Sequence, residues 1–139
     1  MASIRRHVHI MAPPRTVWRA LTTNDGLAKW LVDEARFEGR AGGRVVLTTE
    51  DDEGNPVEER GIVHKWRPTS HLEISFDTIG KTPNCGCRWS FQVARDGEET
   101  RLSIVHSGGE VVSDEVLRER WDNEWKEAFQ VLQTWLDED

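Results

Sequence analysis

The chain has 139 residues, 37% hydrophobic and 31% charged, enough apolar text for one domain with a core and too much for wholesale disorder. Against 18 Lys and Arg stand 25 Asp and Glu, and the resulting net charge of −7 repels phosphate backbones and anionic headgroups, so neither nucleic acid nor a membrane surface is an expected partner. No window approaches the roughly eighteen apolar residues of a spanning helix, and the opening Met1-Ala2-Ser3-Ile4-Arg5-Arg6 lacks a secretory apolar region, which makes a cytoplasmic location the expectation.

Ile4, Val8 and Ile10 share one parity while Arg5, His7 and His9 take the other, the two-residue period of a half-buried strand. Pro13 and Pro14 suit the first turn of a short helix carrying Val17, Trp18, Ala20 and Leu21, which Thr22 and Thr23 interrupt. A second short helix is expected over 24–31, capped by Thr23 or Asn24, with Leu27, Trp30 and Leu31 on one face.

Six further strands are expected at 34–39, 43–50, 56–67, 71–78, 86–95 and 99–106, punctuated by Gly and Pro turns and by the Asp96-Gly97 hairpin signal. Leu72, Ile74 and Phe76, then Trp89, Phe91 and Val93, then Leu102, Ile104 and His106 mark one apolar sheet face. After Gly108-Gly109, Ser113 is the expected cap of a long helix reaching about Leu136, with Asp114 and Glu115 at the positive end of its dipole. Its stripe of Leu117, Trp121, Trp125, Ala128, Phe129, Leu132 and Leu136 needs that sheet to cover it.

The segments Val17-Trp18-Arg19-Ala20-Leu21-Thr22, Leu27-Ala28-Lys29-Trp30, Gly42-Gly43, Gly61-Ile62-Val63 with Pro68, Thr100 through Gly108, and Trp121 to Leu136 fall in a familiar order. Together they resemble the bacterial family related to the C-terminal domain of the activator of heat-shock-protein-90 ATPase, within the START-like, or SRPBCC, superfamily. The resemblance spans nearly the whole chain. It implies an α+β helix-grip fold over 1–139: a seven-stranded curved antiparallel sheet wrapping a long C-terminal helix, with two short helices after strand one. It also implies a cavity between sheet and helix suited to small apolar or amphipathic molecules, although members share no single reaction. The eukaryotic co-chaperone uses an additional N-terminal domain for which 139 residues leave no space, so a chaperone-associated role is a minor expectation.

Leu47, Phe76, Trp89, Phe91, Ile104, Trp121, Trp125 and Phe129 are expected to face the space between sheet and helix, either as walls of a cavity or simply as core. His106, on the inward parity of Leu102 and Ile104, is the one candidate to orient a ligand carbonyl or move a proton; its alternative is a buried histidine held by one hydrogen bond. No metal or cofactor is expected. His7 and His9 look solvent-facing, His64 and His71 complete no ligand set, and Cys85 and Cys87 read as free thiols too close in sequence to form a stabilising bridge.

The acidic run Glu50 to Asn55 lacks EF-hand spacing and reads as a solvated hairpin tip, and Gly39 to Gly43 is no phosphate loop. Glu73, Asp77, Arg88 and Arg101 belong to the outer sheet face, whereas Glu59 or Lys65 would enter the cavity if a strand bulge reversed the local parity. The expected function is binding of a small apolar or amphipathic ligand by a monomer or homodimer. The alternatives are a cyclase, aromatase or hydrolase type of enzyme using the same cavity, or an interaction protein.

Overall fold

The computed structural model describes residues 2–78 and 82–138. Strand β1 (Ile4–Ile10) leads into helices α1 (Pro14–Thr22) and α2 (Asn24–Trp30). Six strands follow: β2 (Glu34–Phe37), β3 (Arg44–Glu50), β4 (Pro56–Arg67), β5 (His71–Phe76), β6 (Cys87–Asp96) and β7 (Glu99–Gly108). A short helix α3 (Gly109–Ser113) and the long α4 (Glu115–Asp137) close the chain.

The seven strands form one antiparallel sheet in the order β1-β7-β6-β5-β4-β3-β2, a meander from β2 to β7 with β1 returned to its far edge. Local chemistry sets the turns. Gly97, at φ 65°, makes the tight β6–β7 hairpin in which Asp96 pairs with Glu99. At the β3–β4 tip the Asp51 carboxylate accepts from the backbone N–H groups of Glu53 (2.9 Å) and Asn55 (2.8 Å), a side chain standing in for a backbone turn.

Two expected helix starts resolve differently. Thr23 is the α2 cap, its Oγ1 accepting from the Gly26 N–H at 3.0 Å. Ser113 is not the α4 cap: α3 absorbs it as its last residue, and Asp114 takes the role by accepting from the Leu117 N–H at 3.0 Å. Asp and Ser are near-equal caps by propensity, so the extra turn of α3 decided between them. Strand β5 stops at Phe76 rather than 78, and β7 runs on to Gly108, which places His106 inside the strand.

One core lies between the inner sheet face and the helices, including Leu72, Ile74, Phe91, Leu102, Ile104, Trp125, Phe129 and Leu132. The α4 stripe buries Trp125, Phe129, Leu132 and Leu136, whereas Leu117 and Trp121 stay half-buried. Polar ties fix α4 beside β1. Arg6 holds Asp122 through two N–H donors (2.8 and 3.1 Å), Gln133 donates to the His9 carbonyl (2.8 Å), and Met11 N–H donates to Asp137 (2.8 Å). Among the described residues no helix is long and apolar enough to cross a membrane.

Candidate functional site: a cavity between sheet and long helix

A cavity of about 440 Å³ opens where the N-terminal half of α4 stands off from β3 and β4. Leu47 from β3, Trp89 from β6, and Trp121 and Trp125 from α4 line it, and Leu31, Val32, Val57, Pro83, Leu117 and Ala128 add to the apolar wall.

Only those four of the nine expected ligand-contacting residues reach the cavity. Phe76, Phe91, Ile104, His106 and Phe129 lie behind its wall. The reason is the packing of Trp89 against Trp125, edge to face at 4.9 Å, with Phe76 at 4.7 Å from Trp89 and Phe91 at 5.8 Å from Trp125. Two indoles fill the width that smaller residues would have left open, and the aromatics beneath become core.

His106 is fully buried, and its Nδ1 accepts the Trp125 Nε1–H at 3.0 Å. Burial alone lowers its pKa from 6.5 to about 4, so the ring is neutral near pH 7. With Nδ1 accepting, the neutral ring carries its proton on Nε2, a buried donor with no protein partner. Of the two expected readings, this arrangement is that of the buried histidine held by one hydrogen bond. His106 positions Trp125 from behind, and the indole is what faces the cavity.

The polar end of the cavity is built on Glu59. A bulge does occur in β4, between Val63 and Lys65, but Glu59 enters without its help, on the regular inward parity of Gly61 and Val63 and directly across from Leu47. Lys65 stays outside, 3.5 Å from Glu73, where His71 and Arg88 also gather. Glu59 is 6% exposed. Its Oε2 accepts the Asn84 backbone N–H (2.7 Å) and its Oε1 the Asn84 Nδ2 (2.8 Å), while the Asn84 Oδ1 accepts the Trp89 Nε1–H (3.1 Å). Burial raises the Glu59 pKa, and the two Asn84 hydrogen bonds offset part of that rise.

At the mouth, Arg120 bridges the gap from α4 to the hairpin tip, reaching Asp52 at 3.3 Å and Glu124 at 3.6 Å. Burial raises the Glu124 pKa despite Arg120. Glu50 and Asp51 add carboxylates to the rim. The acidic run expected to be only a solvated tip thus also borders the cavity. Counting back from Val63 by twos would have found Glu59; Asn84 sits in a loop, where no periodicity points to it.

Elsewhere, His7 and His9 stack edge to face at 5.7 Å on β1, and Cys85 and Cys87 are both free. Burial, with Glu59 adding to it, raises the Cys87 thiol pKa to about 12.

The fold recurs in known structures. The Aha1 dimer from Colwellia psychrerythraea is 23% identical, with a TM-score of 0.80 over 99% of this chain and 97% of that one. Protein NE0264 from Nitrosomonas europaea is 18% identical, with a TM-score of 0.82 over 99% and 95%. CalU16 from Micromonospora echinospora is 23% identical, with a TM-score of 0.74 over 96% and 75%. Identities this low speak for the fold alone. Comparison with curated proteins gives no significant sequence match. The sequence profile of the family described as Activator of Hsp90 ATPase homolog 1-like protein, however, matches residues 11–137, and on that match the chain belongs to this family, with its START-like fold.

Proposed function

We propose that this chain, as one START-like domain over residues 1–139, binds a small apolar or amphipathic molecule in the cavity between β3, β4 and α4. The observation that carries this reading is an aromatic-walled space of about 440 Å³ with convergent polar groups at one end. That size lies within the roughly 300–1,000 Å³ of small-molecule sites, and an apolar wall with few placed polar groups is their usual lining. A cytoplasmic location belongs to the same proposal. The Colwellia structure is a dimer, which supports a homodimer as the assembly to look for.

Native mass spectrometry of gently purified protein tests the reading, paired with titration of a lipophilic panel followed by Trp fluorescence. A discrete added mass released on denaturation, or saturable quenching that Trp121→Ala weakens, is the expected result. A bare chain that responds to no member of the panel would overturn it. Trp121 is the wall residue of choice because it is half-buried, whereas truncating Trp125 removes core packing at about 3–5 kcal/mol.

A further inference from the structure

The cavity is strongly one-signed. Among the described residues that line it, Glu50, Asp51, Asp52, Glu59 and Glu124 carry carboxylates and Arg120 is the one cation. Arg120 is already engaged at the mouth by Asp52 and Glu124. Glu59 differs from the rim acids in being buried, and among the described residues no Lys, Arg or His lies within ion-pairing distance of it.

An ionised carboxylate offers about four acceptor positions, and Asn84 occupies two. Ionising a buried carboxylate is costly, and a ligand that brings positive charge offsets that cost. The walls suit the same charge. Trp89, Trp121 and Trp125 surround the space with indole rings, the best aromatic partners of a cation. A ligand carboxylate or phosphate would meet the acidic rim first.

We propose that the ligand is a protonated amine with an apolar body, its ammonium set against Glu59 and its body against Trp89, Trp121 and Trp125. This rests on the cavity being a ligand site. The asymmetry that selects the amine is separate from the space that admits the body, so the two ideas fail differently.

Three matched probes separate them at neutral pH: 3-phenylpropylamine, which is cationic, 3-phenylpropanol, which is neutral, and 4-phenylbutyrate, which is anionic. Calorimetric titration of the whole wild-type chain is expected to give the amine an affinity at least about tenfold above the alcohol, with the acid weakest. Glu59→Gln, checked for folding by circular dichroism, should bring amine and alcohol to within about threefold of each other. The wild-type series stands by itself if the variant does not fold. Alcohol binding as tight as the amine, or acid binding tighter than both, overturns the amine while leaving the cavity reading in place. An amine preference that survives intact in folded Glu59→Gln also overturns the assignment. No binding by these probes or by a wider lipophilic panel removes the cavity reading, and the amine with it.

Discussion

Asn84 holds Glu59 with two donors at once, its backbone N–H on one carboxylate oxygen and its side-chain amide on the other. The side-chain orientation is fixed from the far side by Trp89, whose indole N–H needs the Asn84 carbonyl oxygen. A buried carboxylate thus shapes a loop and orients a cavity wall.

Glu59→Gln places an NH₂ group where Asn84 also presents one, and turning the Asn84 amide to relieve this orphans the Trp89 N–H. We expect a loss of about 1–3 kcal/mol at low pH, read by urea denaturation. The loss should shrink as pH rises. The folded-state Glu59 pKa is raised, so the wild type loses stability as pH climbs from the ordinary glutamate value of about 4.3 through the folded value, and the uncharged variant does not. A gap between the two proteins that stays constant with pH would contradict this.

His106 works in the opposite sense. Its folded pKa is lowered to about 4, so its contribution is complete above pH 6.5 and declines as pH falls toward 4, by about 3 kcal/mol in all. Trp125→Phe keeps the ring and deletes the donor to Nδ1. Imidazole nitrogen NMR should show a single Nε2–H tautomer in the wild type and a mixture in the variant. The same mixture in both proteins would show that the indole does not set the tautomer.

The two arginines that tie α4 across the structure should differ in worth. Arg6 grips Asp122 with two bonds in a part-buried setting, so Arg6→Ala should cost about 1 kcal/mol. Arg120 and Asp52 are 60% and 86% exposed, and Arg120→Ala should change stability by less than about 0.5 kcal/mol. Equal denaturation midpoints for the two variants would count against the distinction.

Thiol chemistry should separate the neighbouring cysteines. Cys87 is buried, its Sγ against the Gly108 carbonyl oxygen, and its pKa of about 12 leaves almost no thiolate at neutral pH; Cys85 is half-buried. A chromogenic disulfide reagent should label Cys85 in the native protein and Cys87 only after unfolding, as peptide mass spectrometry would show. Labelling of Cys87 at the native rate of Cys85 would contradict the burial argument.

The strands and the long helix were legible because both faces of the sheet wrote their periods clearly: Leu72, Ile74 and Phe76 alternate with polar residues, and Trp125, Phe129, Leu132 and Leu136 return at helical spacing. The α4 cap was misplaced by one residue because Ser113 and Asp114 are chemically near-equal, and only the preceding helical turn separates them. Which of the apolar residues border the cavity and which are core was not legible for another reason. Parity tells which face a side chain takes but not what lies above it, so Leu47 and Ile104 read alike although one borders the cavity and the other is buried in the core away from it. Asn84 carried no signal, since its role comes from where a loop brings its amide.

The ends of α4 are held unequally. Its C-terminal half is gripped from both flanks: on one by Gln133 and Asp137 against the β1 segment, on the other by α2, where Trp30 packs on Phe129 at 6.0 Å and Lys29 lies over Trp135 at 4.8 Å. Its N-terminal half has Arg6 on one flank, the Arg118 bond to the Val111 carbonyl at its start and the buried Trp125 bonded to His106 at its inner end, and on the other flank the cavity spanned by an exposed ion pair. The first turns of the helix, before the buried Trp125, are therefore held by fewer ties than the rest, beside the space they roof. On the proposed ligand reading, the size of the chamber would follow how far these first turns lift, so that guests of different girth would fit without disturbing a strand. Amide hydrogens of residues 117–125 should accordingly exchange faster than those of 129–136, although both stretches belong to one unbroken helix.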